Sequence, residues 1–488
     1  MSREDEVLAS YKENYQSLID QGINPYPADS QKDYPNQTVI DDFDQLAGRS
    51  IYLSGRVVSK RGHGKLNFID LEDQSGKIQL FCSASEVESD SWSILELINV
   101  GDFTEAYGEV FQTQKGQISL KLKRLRILTK ALRPLPSEHY GIKDEELRYR
   151  LRYLDLMRPE IRKRFYQKAQ FWRSIREFLD NRGFIEVQTP VLETVAGGAS
   201  ATPFVTHYDA LDEDVYLRIS AGELWQKKLM VAGFERTYEI GRIFRNEGMS
   251  REHLQDYTQL EYYQAYADEE QGMELVRELY IKVAKDTFGR TDFEVYGHRF
   301  DLADQWERID YLTEIERVSG LDVINCELSK IRDWLRARKV GFEPEAARET
   351  LIDIVWKQVR KEISGPAFLI GHPEAVSPLA KSNQHRPGTV RRFQVILAGS
   401  ELGNGYSELN DPIDQEQRFI KQSELRDGGD SEAQMHDKDF VRALEYGMPP
   451  TCGFGMSERL FSFLSNISIR EATLFPIVKI KEDNEQGK

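Results

Sequence analysis

The sequence predicts an α+β protein in two parts, a small β-barrel followed by a larger domain in which strands and helices alternate. Three observations lead there. Between Ile51 and Leu128, five short runs of alternating apolar and polar residues are separated by glycines, which is the period-2 signature of half-buried strands. From Phe165 to Arg182 the apolar residues Phe171, Ile175 and Phe178 recur at helical spacing, with Trp172 and Leu179 on the adjoining face. Beyond Arg182, runs of strand character that carry arginines and carboxylates alternate with helical stretches.

Taken in order, residues 1–48 read as a helix and a polar connector that includes Pro25-Tyr26-Pro27. Residues 49–132 hold the strands: Ile51–Val58, Leu66–Leu71, Lys77–Phe81, Phe103–Gly108 and Ile118–Leu122. With a short helical insertion near Ser91–Asn99, these fit an OB-fold barrel, a common platform for single-stranded nucleic acid. Leu132-Arg133-Pro134-Leu135-Pro136 opens a hinge over 133–160. In the span 161–480, Gly183 sits where the helix should be capped, and Phe184–Pro190 reads as a strand stopped by its proline. Leu328–Ser364 is mainly helical and reads as an insertion.

Composition narrows the function classes. A chain of 488 residues with 40% hydrophobic and 30% charged residues has room for two or three domains and a large core. No apolar run approaches the roughly 18–20 residues of a membrane span, and Met1-Ser2-Arg3-Glu4-Asp5-Glu6 is no signal peptide. Cys82, Cys326 and Cys452 lack CxxC spacing, so neither a zinc site nor a disulfide framework is expected. A cytoplasmic protein is the expectation. The net charge of −16 argues against a nucleic-acid partner, but local charge argues for one. Gln112–Arg133 contains no acidic residue and includes Lys115, Lys121, Lys123, Arg124, Arg126, Lys130 and Arg133, and Lys60-Arg61-Gly62-His63-Gly64-Lys65 lies upstream. Counterion release depends on such local clusters.

The chemistry concentrates in four stretches: Phe244-Arg245-Asn246-Glu247-Gly248, Asp256–Tyr263, Glu401–Glu408 and Gly453–Arg459. Arginines on strands suit phosphate oxygens, and clustered carboxylates suit a cation and a metal. Side chains alternate along a strand. Arg245 and Glu247 are therefore expected on one face, Gln259, Glu261 and Tyr263 on another, and Asn404, Tyr406 and Glu408 on a third. Glu401 is out of phase with that last trio, which requires a bulge near Gly403 or places Glu401 elsewhere.

In order and chemistry these stretches resemble the class II aminoacyl-tRNA synthetases, and most closely the lysyl-tRNA synthetases. The resemblance runs from about Ile51 to Pro476. It includes Gly64–Phe68, Gly76–Leu80, Leu128–Pro136, Arg148–Leu156, Gly197-Gly198-Ala199, Gly233–Arg236, Val376–Ala380 and Asn404–Asp411. It implies an OB-fold anticodon-binding domain and a catalytic antiparallel sheet flanked by helices, with a homodimer built partly on the segment ending at Pro190. It also implies ATP, L-lysine and tRNA(Lys) as substrates and Mg2+ as cofactor, and neither a membrane nor a DNA partner.

The same resemblance assigns roles. Arg245 and Arg459 are the catalytic residues, gripping phosphate. Glu247 and Tyr257 meet adenine, and His253 joins the ATP site. Glu401 binds magnesium, with Gln394 and Glu408 as further candidate ligands. Glu223, Glu261, Tyr263, Asn404, Tyr406 and Glu408 surround lysine, with Glu223 and Glu408 near its ammonium group. Arg61, Phe68 and Gln79 read the anticodon. Three departures from the family pattern bear on ATP affinity and metal count. Gln394 replaces a second magnesium-binding glutamate, Glu252 stands where an arginine usually holds phosphate, and Gly453–Arg459 is one residue short. The alternatives are an aspartate or asparagine ligase of the same subclass, or an adenylate-forming paralogue with a non-tRNA acceptor.

Overall fold

A computed structural model describes residues 3–135, 142–344, 346–428 and 433–479. Residues 136–141 of the expected hinge and residue 480 lie outside the described residues. The chain divides into two units, Met1–Asp155 and Leu156–Lys488.

In the first unit, β1 (Ser50–His63), β2 (Leu66–Glu72), β3 (Lys77–Ser83), β4 (Phe103–Gln112) and β5 (Ile118–Thr129) close into a barrel in the order β1-β2-β3-β5-β4. The period-2 pattern decides what fills it. Ile69, Leu71, Ile78, Leu80, Leu120 and Leu122 alternate inward and are buried together, while Phe68 and Asp70 lie on the outer face. A helix α1 (Arg3–Asp20) adds Leu18 to this core, and its Tyr11 hydroxyl donates to the Val100 carbonyl at 3.0 Å.

A second helix, α2 (Ser89–Leu97), bridges β3 and β4, and its carboxyl end draws in two of the basic residues. Lys60 Nζ donates to the Leu95 carbonyl at 2.8 Å. Lys130 Nζ donates to the Leu97 carbonyl at 2.9 Å and to Asp102 at 2.7 Å, and is fully buried. Cations satisfy the last carbonyls of a helix. These two lysines therefore belong to the architecture, not to the exposed basic surface that the sequence pattern suggested.

The second unit is built on an eight-stranded sheet. Its strands are β6 (Ile185–Glu186), β7 (Arg236–Phe244), β8 (Asp256–Ala265), β9 (Glu307–Asp310), β10 (Ala367–Ile370), β11 (Arg392–Leu397), β12 (Ser400–Ser407) and β13 (Thr451–Ser457), in the order β9-β10-β11-β12-β13-β8-β7-β6. The inner pairings are antiparallel, and each edge strand joins in parallel. The run Phe184–Pro190 pairs at only two residues, because β6 finds its partner only at Thr237 and Tyr238 of β7.

One face of this sheet is covered by α3 (Pro159–Asp180) and α5 (Glu269–Phe288), the intervening helix α4 (Glu223–Val231) lying elsewhere. Phe171, Ile175 and Phe178 of α3 and Val276, Leu279 and Tyr280 of α5 pack on Leu260, Tyr262, Phe393, Val395 and Phe454 of the strands. Alternation then sends the neighbouring residues, Gln259, Glu261, Tyr263, Arg392 and Gln394, to the opposite face. The helical stretch begins earlier than expected, at Tyr311: α6 (Tyr311–Ser319) precedes α7 (Leu328–Ala337) and α8 (Arg348–Val359), which lie within Leu328–Ser364. It shares one core, Ile315, Leu335, Leu351, Val355 and Trp356, with Leu369 of β10 and Ile396 of β11.

Candidate active site

The opposite face of the sheet, where Tyr263 packs with Leu224 and Met230 of α4 and with Phe440, opens into a cavity of about 810 Å³. Glu223, Arg245, Tyr257, Gln259, Glu261, Tyr263, Gln394, Glu401, Asn404, Tyr406, Glu408 and Arg459 all line it. Glu247 and His253 do not. The reason for Glu247 is local: β7 ends at Phe244, so the alternation expected for Arg245 and Glu247 has no strand to act on. Glu247 is exposed, whereas Arg245 turns inward, donates from Nε to the Ile219 carbonyl at 3.3 Å and sits 5.8 Å from the Tyr257 ring centroid. His253 bonds to Ser250 Oγ through Nδ1 at 2.8 Å.

The phase of Glu401 is settled by a bulge. Val395 of β11 faces Gly403 and Ile396 faces Glu401, so Leu402 is the extra residue of β12. It drops into the core, and Glu401 shares the cavity face with Asn404 and Tyr406.

At one end of the cavity two carboxylates, Glu223 and Glu408, converge on one ammonium, and a third, Glu261, lines the same cavity. Lys227 of α4 is 1% exposed, with Nζ 2.7 Å from Glu223 and 2.5 Å from Glu408. The rings of Tyr406, Phe440 and Tyr263 lie 5.4, 5.9 and 6.0 Å from Nζ. Tyr406 donates its hydroxyl to Glu223. Glu261 accepts from the Ala221 amide at 2.7 Å, from Gln259 Nε2 at 2.6 Å and from the Tyr263 hydroxyl at 3.1 Å. Gly453 is required in this wall, since a Cβ there would run into Glu408 Oε1 and the Tyr263 ring.

The electrostatics follow from the count. Burial pulls the Lys227 ammonium toward neutrality, but Glu223 and Glu408 more than offset it and hold it charged. Three carboxylates cannot all be matched by one cation. Burial, with the Glu223 charge adding, pushes Glu261 up to about 7 against its hydrogen bonds. Burial pushes Glu408 up to about 8, since its share of Lys227 does not compensate for desolvation and for the Glu223 and Glu261 charges. The carboxylates outnumber the one ammonium paired with them. Lys227 was not among the sequence candidates, although its i,i+4 spacing from Glu223 is a helical ion-pair signal.

At the other end, Arg459, the first residue of α9 (Arg459–Leu464), donates from Nη1 to the Glu401 carbonyl at 3.1 Å and pairs through Nη2 with Glu252. Glu401 accepts from Trp356 Nε1 at 2.8 Å through Oε1. Burial drives His372 down to about 3, so it is neutral, and its Nε2 lies 3.0 Å from Gln394 Oε1. Arg392 donates to Asn404 Oδ1 at 2.8 Å, which ties up that oxygen. Arg392, His372 and Trp356 are further cavity residues that no motif had flagged.

A magnesium ion fits Glu401 and Gln394, which face the cavity from paired strands and offer hard oxygen donors. Glu401 spends Oε1 on Trp356 and keeps Oε2 for a cation. No group of three or more His, Cys, Asp or Glu side chains forms a metal cluster among the described residues, so phosphate and water would complete the shell. Glu408 is not a third ligand. It lies seven residues beyond Glu401 on nearly one strand, at most about 23 Å at roughly 3.3 Å per residue, and is engaged with Lys227.

In the barrel, Arg61, Phe68 and Gln79 share one outer face, with Arg61 opposite Phe68 and Asp70 opposite Gln79. Phe68 stands half-buried, edge-on to Phe81 at 5.6 Å. Arg61 is paired with Asp70 at 2.8 Å, and Gln79 is 7% exposed, accepting from Ser119 Oγ at 3.4 Å.

An antiparallel sheet presenting two arginines and a carboxylate pocket, carried on a chain that also holds an OB barrel, fits a class II aminoacyl-tRNA synthetase. Residues 144–479 match the family model for tRNA synthetases class II (D, K and N), and residues 51–128 match that for the OB-fold nucleic acid binding domain. The chain is 42% identical to a lysine–tRNA ligase of Moorella thermoacetica, over 99% of this chain and 100% of the relative. It is 41% identical to those of Carboxydothermus hydrogenoformans, over 98% and 99%, and Thermotoga maritima, over 98% of each. The chain belongs to the class II tRNA synthetases of this group and, within it, to the lysine–tRNA ligase family.

Proposed function

We propose that the enzyme activates L-lysine with ATP and transfers it to the 3′ end of tRNA(Lys). The observation that carries the choice of amino acid is the excess of buried carboxylate over Lys227, which calls for an ammonium group and repels an acidic side chain. In the first step the lysine carboxylate attacks the α-phosphorus of ATP. A phosphorus–oxygen bond forms to the amino acid, the bond to the β-phosphate oxygen breaks, and lysyl-adenylate and pyrophosphate result. No protein base is needed, because the nucleophile is already ionised. Arg245 aligns the carboxylate and α-phosphate, Arg459 holds the distal phosphates, and Tyr257 stacks on adenine. Glu401 and Gln394 would hold magnesium, whose charge when bound offsets that of the phosphates. In the second step the terminal ribose hydroxyl of tRNA takes the lysyl group and AMP leaves.

In this reading residues 161–480 carry the chemistry and residues 49–132 read the anticodon through the face bearing Phe68. A homodimer is supported by the exposed apolar residues Ile185, Leu192, Val205, Tyr208 and Leu211. Among the described residues no helix is long and apolar enough to cross a membrane.

ATP–pyrophosphate exchange run separately with all twenty amino acids tests the choice of substrate. Lysine alone should support fast exchange, and equal exchange with aspartate or asparagine would sink the assignment. Phe68→Ala tests the division of labour. It should weaken tRNA charging by about 1–3 kcal/mol, one lost stacking platform, and leave tRNA-independent exchange intact. Equal losses in both assays would mean that Phe68 serves the barrel alone.

A further inference from the structure

The arginine at the phosphate end of the cavity already holds an anion. Nη2 of Arg459 is paired with the Glu252 carboxylate, and the Tyr296 hydroxyl donates to Glu252 Oε1 at 2.9 Å. Arg459 Nε is buried without a partner. Neither member of the pair is locked in the core, since the Arg459 and Glu252 side chains are 18% and 24% exposed. Arg251 does not compensate: it lies 5.8 Å from the Tyr296 ring centroid and does not line the cavity.

A guanidinium donor can be shared between a carboxylate and a phosphate only by bringing two like charges into contact, which is strongly unfavourable at a partly desolvated site. A polyphosphate entering this end of the cavity must therefore displace Glu252. We propose that Glu252 is a built-in competitor for the distal phosphates, a specificity-determining residue that leaves Arg459 when polyphosphate binds and returns to it when pyrophosphate departs. The proposal rests on the function given above only in taking a polyphosphate as the ligand. Its consequence is directional. Glu252 weakens the hold on ATP, but it also opposes rebinding of pyrophosphate and so disfavours reversal of adenylate formation.

The test is direct binding of inorganic pyrophosphate, of ATP and of adenosine to the full chain, by calorimetry without amino acid. Wild type, Glu252→Gln and Glu252→Ala are compared, and melting temperatures check that the variants fold. Pyrophosphate and ATP should bind about tenfold tighter or more once the competing carboxylate is gone, whereas adenosine, which has no phosphate, should bind as before. Where the two variants differ, Glu252→Ala decides, because a glutamine oxygen can still accept from Arg459. Pyrophosphate affinity that is unchanged or weaker in Glu252→Ala overturns the proposal. Exchange that does not depend on lysine in the wild type would instead refute the proposed function and leave this binding result standing.

Discussion

Lys227→Met should destabilise the catalytic unit by about 3–5 kcal/mol, the range for removing one partner of a buried ion pair. The side chain is 1% exposed, and Glu223 and Glu408 both converge on Nζ. With the ammonium gone, two carboxylates are left in a site walled by Tyr263, Tyr406 and Phe440, with no other ion-pair partner among the described residues. Protonation of Glu408, already pushed up to about 8, is the response open to the protein, so the loss should be larger at pH 9 than at pH 6. Glu408→Gln added to Lys227→Met should recover part of the loss. Denaturant unfolding of the single and double variants, followed by a signal from the catalytic unit, measures the coupling. A wild-type midpoint for Lys227→Met would show that the cluster does not hold the fold together.

Lysine binding should weaken as the pH falls from about 8 to 6. The free site holds Glu261 with a pKa raised to about 7 and Glu408 with one raised to about 8. Below those values each carries a proton, and a neutral carboxyl offers no charge to an incoming ammonium. The substrate amine, with an ordinary pKa of about 10.4, stays charged throughout. Binding must then expel a proton, and the dissociation constant should rise about tenfold per pH unit for each carboxyl that must ionise. Lys227, held charged by Glu223 and Glu408, stays cationic over this range, Arg392, which also lines the cavity, is pulled down from its ordinary value by burial, and Tyr263 and Tyr406, raised well above 10, stay neutral. Calorimetric titration with lysine at pH 6, 7 and 8, in two buffers of different ionisation enthalpy, reads affinity and proton release together. An affinity independent of pH, with no proton released at pH 7, would mean that both carboxyls are ionised in the free enzyme.

These groups differ in how far they could be read from the linear chain. The barrel could be read in the number, order and starts of its strands but not in their lengths: Lys77–Phe81 pairs as Lys77–Ser83, whereas Ile51–Val58 runs on to His63 and Ile118–Leu122 to Thr129. The alternation that put Gln259, Glu261 and Tyr263 on one face holds over the full ladder of β8. Both follow from backbone geometry, which acts over one or two residues and is written into any short window. Family membership could be read as well, because order and chemistry along most of the chain survive without coordinates.

What no window contains is where a strand loses its partner, or which charge meets which. Arg245 and Glu247 look like neighbours on one face, yet the ladder stops at Phe244, and one turns inward while the other is exposed. Glu401 could lie on either side until the bulge at Leu402 chose the cavity. Glu223 and Lys227 are one helical turn apart and could have been paired on paper. The pairing of Lys227 with Glu408, and of Arg459 with Glu252, spans roughly two hundred residues. Those contacts exist because the sheet brings distant segments together and strips them of water. Burial then determines how strongly each charge needs its partner, and burial is a property of the folded chain alone.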